Sequence, residues 1–271
     1  MKISVITVSY NSEATIEQTI RSVLRQREYC DLEYIIIDGA STDRTMEIVK
    51  KYEPEIDVLI SEPDDGICDA FNKGIKISTG KVIAILNSDD WYQDDTIKIV
   101  IDAISKYPNA GLFFGDQYYS DVNGNIILKM TGDPEYEKYL WQGLMKVPPV
   151  AWFIKKEVYE RCGVFDSSYK TAMDFELLLR FSVQGVKGVY IPEVFGTMRY
   201  GGESDQNYIG GYREVLRAIK KYGGNTSLVK LRMFLWILRS ETRRFLERIG
   251  LQGFVNYLRK NVASRKNLKQ V

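Results

Sequence analysis

The stretch "VIAILNSDDWY" (residues 82–92) runs from five apolar side chains straight into Asn87, Ser88, Asp89 and Asp90. Its apolar part does not alternate, the pattern of a strand covered on both faces, as in a parallel sheet. Two adjacent carboxylates at the end of such a strand repel each other, so they lie open to water or share a cation. Working outward, the same layout repeats. "ISVITVS" (3–9), "EYIIID" (33–38) and "DVLIS" (57–61) read as strands. Helical spacing fills the gaps: Ile16, Ile20, Val23 and Leu24, then "RTMEIVKKY" and "GICDAFNKGIKIS", then residues 94–106 before the apolar "AGLFFG" (110–115). Strand and helix alternating at this rhythm specify right-handed crossovers and a parallel sheet with helices on both faces.

Beyond residue 115 the rhythm breaks. "DQYYSDVNGNIILKM" predicts a hairpin turning at Asn123-Gly124-Asn125, and "AWFIKKEVYERCGVF" a strand followed by a helix. "TAMDFELLLRFSVQG" is helical with Leu177, Leu178 and Phe181 inward, while "GVYIP" and "VFGTMRY" are strand-like, so the sheet becomes mixed. Residues 206–222 and 228–262 read as helices. The expected organisation is a body over residues 1–205, with halves 1–115 and 116–205, followed by a C-terminal helical extension over 206–271.

Composition narrows the chemistry. With 45% hydrophobic residues the 271-residue chain can bury a large core, and a net charge of +1 suggests no nucleic-acid partner. Histidine is absent, which excludes His-based triads, His-ligated zinc and imidazole bases. The three cysteines, Cys30, Cys68 and Cys162, form neither a disulfide framework nor a metal pattern and fit a reducing cytosol. No apolar run approaches the roughly 18 residues of a membrane span; "MFLWIL" (233–238) is six long. Charge is uneven, however: residues 226–271 hold 11 Lys/Arg against Glu241 and Glu247, leaving 26 basic against 34 acidic residues elsewhere.

Ligands of an open parallel sheet bind at the carboxyl ends of its strands. Three strands end there in polar clusters: Ser9-Tyr10-Asn11, Asp38-Gly39-Ala40-Ser41 and Asn87-Ser88-Asp89-Asp90. Asn11, Ser12 and Asp43 are also good helix caps. The Asp89–Asp90 pair exceeds what one cap needs and suits Mg²⁺ or Mn²⁺, which take oxygen ligands and leave positions for phosphates. Neither a G-x-x-x-x-G-K-[ST] loop nor a G-x-G-x-x-G turn follows the first strand. A phosphate-bearing ligand would therefore be held through metal, which points to a nucleoside diphosphate with an activated leaving group.

Four stretches in order, "SVITVSYNSEATIEQTIRSVLRQ", "EYIIIDGASTDRTMEIV", "DGICDAFNKGIKISTGKVIAILNSDDWY" and "GVFDSSYKTAMDFELLLRF", resemble family 2 glycosyltransferases over residues 1–205. The resemblance implies a GT-A fold and an inverting, metal-dependent transfer of sugar from a nucleotide-diphosphate donor, with uridine the expected base. It is closest to bacterial enzymes that build polysaccharide or lipid-linked glycans of the cell envelope, so the acceptor is a glycan or lipid-linked hydroxyl. Thr7 and Ser9 then line the nucleoside pocket and Asp38 contacts uracil or ribose. The usual second carboxylate is replaced by Gly39. Asn87-Ser88-Asp89 takes the D-x-D position, with Asp89 as metal ligand and Asn87 on ribose or phosphate. Asp90 either holds a metal-bound water or caps the next helix. Asp174 matches the catalytic base, with Glu176 its competitor. Asp69 lines the donor pocket or serves as a cap. Arg199 neutralises the leaving phosphate from a segment, 198–205, that closes over it, or belongs to an ordinary loop. Trp91, Trp141 and Trp152 are candidates for stacking on sugars, with Trp152, inside an apolar strand, the one that also reads as core.

Between residues 228 and 262 an apolar stripe is flanked by Arg232, Arg239, Arg243, Arg244, Arg248, Arg259 and Lys260. Such a helix lies on an anionic membrane surface, which would make a cytoplasmic enzyme peripheral on the inner face of its membrane, or packs on protein, including a second subunit of a homodimer. Two rival functions stand beside the transferase: a nucleotidyltransferase with a similar sheet, and a non-catalytic relative that binds nucleotide sugar or scaffolds a partner.

Overall fold

The computed structural model describes residues 1–200 and 208–235. Strands β1 (Lys2–Ser9), β2 (Asp31–Asp38), β3 (Val58–Ser61) and β4 (Val82–Asn87) form a parallel set in the order β3-β2-β1-β4. Their neighbours are β8 (Trp152–Lys155), antiparallel to β4, then β6 (Leu112–Ser120), β9 (Gly188–Arg199) and the short β5 (Trp91–Tyr92). β7 (Ile126–Met130) hangs on β6 through the foreseen turn, where Gly124 takes φ +88. The sheet is thus parallel where the chain alternates strand and helix, and mixed beyond it, as the sequence implies.

Two strands are longer than the sequence pattern suggests. "AGLFFG" and the first arm of the hairpin are one strand, β6, and "GVYIP" and "VFGTMRY" are joined into β9. Register shifts between Phe114 and Gln117 let these two strands bend together past Pro192, which removes one ladder donor. The sequence masks this continuity because polar residues such as Asp116 and Gln117 interrupt the apolar run yet are buried.

Helices cover both faces. On one, α1 (Ile16–Arg25), α2 (Thr45–Lys50) and α4 (Thr96–Lys106) bury Ile16, Ile20, Val23, Val49, Ile97 and Val100 against Ile3, Val5, Tyr34, Ile36, Ala84 and Leu86. On the other, α3 (Ile67–Ile77) lies against β1 and β2. Gly74 makes this approach close: a Cβ there would stand 2.4 Å from Ile6 Cγ2, so no larger residue fits without moving the helix. Phe71 packs on Phe165, beside α6 (Lys156–Cys162) and α7 (Met173–Val183). A short helix, α5 (Tyr136–Leu140), was not signalled by periodicity; it seats Tyr136 edge-on against Phe114. Leu177, Leu178 and Phe181 are inward as expected, and Trp152 is core.

The compact body extends further than the expected boundary at residue 205. It runs from Met1 to Gly224, and a second unit covers Asn225–Val271. Helix α8 (Tyr208–Lys221) belongs to the body because Glu214, Lys221 and Tyr222 bond to the loop before α7 and to Glu176. In the second unit, residues 227–235 are helical; the rest of the expected stripe over 228–262, and most of the segment 198–205, lie outside the described residues. Among the described residues no helix is long and apolar enough to cross a membrane.

Candidate active site at the carboxyl edge of the sheet

In the parallel register Val8 lies opposite Asn87, Ser9 opposite Asp38, and Asp38 opposite Ser61. The three polar strand ends expected to share one edge do share it. β6 and β9 point the same way and add Ser120 opposite Arg199.

At the end of β4, two buried oxygens have no hydrogen-bond partner among the described residues: Asn87 Oδ1 and Asp90 Oδ2. The other Asp90 oxygen accepts the Arg199 backbone N–H at 3.1 Å, and Asp90 is 1% exposed. Burial, then the charge of Asp89, pushes the Asp90 carboxyl well above its ordinary value; burial also raises Asp89, which is half-buried. Asp90 does not cap α4, whose N-terminal flank is Asp95, so that alternative falls away. Buried acids without partners are costly unless a charge compensates them. Asn87, Asp89 and Asp90 together offer an oxygen-only donor set that fits a hard divalent ion. It is an incomplete shell: no group of three or more acid, cysteine or histidine side chains able to hold a metal occurs among the described residues. Phosphate and water oxygens would fill the remaining positions. Ser88 faces away from this set, its Oγ 2.7 Å from Ser12 Oγ, tying the β4 exit to the loop after β1.

Arg199 braces the same turn. Its Nε donates to the Asp89 carbonyl at 3.4 Å, Nη1 to the Val122 carbonyl and Nη2 to Gln18, while its guanidinium lies 5.2 Å from the Trp91 ring centre. Its charge offsets part of the rise at both Asp89 and Asp90.

The β1–β3 exits are knitted more tightly than the sequence suggests. Thr7 is fully buried and accepts the Tyr34 hydroxyl at 3.2 Å, so it sits beneath the edge. Asp38 is buried and accepts four hydrogen bonds, from Ser9 Oγ, Ser61 Oγ, and the N–H and Oγ of Ser41. Asn11, at φ +49, accepts the Thr42 N–H and so links two loops instead of capping a helix. Ala40 takes φ +59, a left-handed conformation that favours glycine. Ala40→Gly is expected to stabilise the protein by about 0.5–1 kcal/mol, read as a higher midpoint in urea unfolding with an unchanged slope.

The heads of α3 and α7 meet beside this edge. Met173 Sδ lies 3.1 Å from Cys68 Sγ, and the Cys68 thiol also faces the Tyr169 carbonyl at 3.6 Å. Burial pushes this thiol up to about 11, which keeps it protonated and unreactive at neutral pH. Asp69 accepts the Asp65 N–H and pairs with Lys73 at 3.1 Å, a cap-like role that lowers its pKa chiefly through the lysine. The backbone donors ahead of α7 are taken by Glu214, whose carboxylate accepts the N–H groups of Lys170, Thr171 and Ala172. Asp174 is therefore not needed as a cap; among the described residues its carboxylate is held by backbone alone, accepting the Phe175 N–H at 2.7 Å. Burial, with a smaller push from Glu214, raises it to about 6. Glu176, two residues on, is turned inward and bonded to Arg180, Lys221 and Tyr222. Of the two acids proposed as base, Asp174 is the one whose carboxylate no side chain engages among the described residues. Sequence reasoning passed over Asp64, which with Tyr10 of the first polar cluster flanks Gly39; the acid-rich "EPDDG" after the third strand was the available signal.

Fold and edge define the class: an α/β protein presenting an adjacent acidic pair with no cationic side chain bonded to its carboxylates among the described residues, and a separate desolvated carboxylate, at its strand ends. The family model described as glycosyl transferase family 2 matches residues 4–163. An uncharacterized glycosyltransferase of Mycobacterium tuberculosis is 30% identical over 239 residues, covering 80% of this chain and 88% of the relative. The chain belongs to glycosyl transferase family 2, and it is a glycosyltransferase. Among solved structures, S. aureus TarS 1–349 in complex with UDP-GlcNAc superposes with TM-score 0.64 at 18% identity, over 83% of this chain and 68% of that one. This chain spans 65% of another TarS 1–349 structure and 40% of the longer TarS chain. The mannosyltransferase PcManGT from Pyrobaculum calidifontis, in complex with GDP-Man and Mn²⁺, gives TM-score 0.64 at 18% identity, covering 96% and 79%. These likenesses establish the GT-A fold.

Proposed function

We propose that the protein is an inverting, divalent-cation-dependent glycosyltransferase that moves a sugar from a uridine diphosphate donor to a hydroxyl of a glycan or lipid-linked acceptor. The observation that carries this reading is the pair of buried oxygens, Asn87 Oδ1 and Asp90 Oδ2, that flank Asp89 at the end of β4 and find no hydrogen-bond partner among the described residues. Asp89, with Asn87 and Asp90, would hold Mn²⁺ or Mg²⁺. When bound, such an ion neutralises charge developing on the departing diphosphate.

Asp174 acts as the general base. Direct displacement at the sugar C1 requires loss of the acceptor hydroxyl proton, and a carboxylate raised to about 6 is both mostly ionised at pH 7 and more basic than an ordinary aspartate. The Phe175 N–H fixes one carboxylate oxygen and leaves the other for the acceptor. Glu214 keeps the α7 head ordered without competing for that role. Arg199 holds the β4 exit in place by bonding around it. The ligands of the structural neighbours, UDP-GlcNAc in one and GDP-Man with Mn²⁺ in the other, support a nucleoside diphosphate sugar at this edge.

The test is a thermal-shift panel of UDP-, GDP- and CDP-sugars with and without MnCl₂. A UDP-sugar is expected to raise the melting temperature by several degrees in the presence of Mn²⁺, and by much less in EDTA. Equal stabilisation with and without metal would remove the role given to Asp89.

A further inference from the structure

Gly39 stands where the family pattern puts a second carboxylate, yet the space above it is not empty. A Cβ built on Gly39 would lie 2.7 Å from Asp64 Oδ2 and 3.5 Å from Tyr10 Cδ2. The loop after β3 thus brings a carboxylate from a different strand end to the point where the side chain of residue 39 would begin. Asp64 Oδ1 is engaged by the Gly66 N–H at 2.9 Å, which fixes the group; among the described residues no hydrogen bond falls on Oδ2. Asp38, by contrast, accepts four internal hydrogen bonds and has no capacity left for a ligand. Tyr10 is 65% exposed, an unusual waste of aromatic surface unless something stacks on it. A bare glycine, an exposed aromatic ring and one acceptor oxygen meeting at a single point make a slot for a flat ring that carries an N–H.

We infer that Asp64 is the residue that selects the donor's base, its Oδ2 accepting the imide N–H of uracil while Tyr10 stacks on the ring. This rests on the reading of the edge as a nucleotide-sugar site and deepens it. An ionised carboxylate only accepts. Uracil offers a single imide N–H at N3, whereas cytosine offers a lone pair there and is repelled. Guanine presents two neighbouring donors that call for both oxygens of a carboxylate, and Asp64 has one to give.

The experiment measures UDP and CDP affinity by calorimetry with MnCl₂ for wild type, Asp64→Asn, and the double variant Gly39→Asp/Asp64→Gly. Gly39 has no left-handed φ, so an L-residue is tolerated there once Asp64 is gone. Wild type is expected to prefer UDP over CDP. Asp64→Asn is expected to weaken UDP about 10- to 100-fold, the range for a hydrogen bond to a charged group, and to bring the two nucleotides close together. The double variant, which returns the carboxylate to position 39, is expected to recover most of the UDP affinity and preference. An unchanged UDP/CDP ratio in Asp64→Asn overturns the assignment while leaving the nucleotide-sugar site intact. A wild-type protein that binds neither nucleotide overturns both.

Discussion

Replacing Asp174 by Asn is expected to lower kcat by roughly 10²- to 10⁴-fold, the usual contribution of a general base, while the protein becomes more stable at neutral pH. The two effects have one cause. Burial raises the Asp174 carboxyl to about 6, so between its unfolded value near 3.8 and that point the folded state holds a proton that the unfolded state has released. Stability from this group therefore falls as pH rises through that window, and above it the desolvated charge is a standing cost, on the order of 3 kcal/mol. The neutral amide removes the cost and still accepts the Phe175 N–H. Melting temperature should rise by a few degrees at pH 7.5 and match wild type below about pH 4. Wild-type kcat/KM should rise with pH and level off above an apparent pKa near 6. UDP affinity should change less than about 3-fold, since no nucleotide contact is assigned to Asp174. A large loss of nucleotide affinity instead would move this residue into the donor pocket.

Asp89→Asn is expected to lower transfer by about 10³-fold or more, since charge stabilisation by a metal supplies several kcal/mol in the transition state. The informative comparison is with EDTA. Wild type treated with EDTA should fall to the level of the variant, and the variant should lose little further, because both remove the same interaction. UDP, which carries the diphosphate, should bind the variant more weakly in Mn²⁺, whereas uridine should not distinguish the two proteins. Full activity of wild type in EDTA would sink the metal reading. The fold should survive the substitution: the Asp89 side chain accepts no bond from the strands it joins, and Arg199 grips only its carbonyl.

Helix α7 illustrates the limit of reading function from spacing. Residues 174 and 176 point to opposite sides of a helix, so the sequence stated that one of them faces the cleft. It left open which environment each would meet. The answer came from α8 and the turn after it, distant in sequence: Glu214 takes the free backbone donors, and Lys221 and Tyr222 bind Glu176. Likewise the resemblance marked Asp38 as a ligand contact, but Ser9 and Ser61, at the ends of β1 and β3, converge on it with Ser41 of its own loop. Hydroxyls so far apart in the chain give no local pattern to find.

Local pattern did determine the order of strands and helices, the parallel first half, the mixed second half and the edge on which polar residues gather. Those features follow from side-chain periodicity and from crossover handedness, both short-range properties of the chain. Which carboxylate is satisfied by the protein and which is left for a ligand was decided only in three dimensions. A carboxylate's chemistry depends on its burial and on the donors that surround it, and here those donors come from other elements. Asp38 and Asp64 lie 26 residues apart in one chain, and only folding reveals that the first is saturated and the second is open.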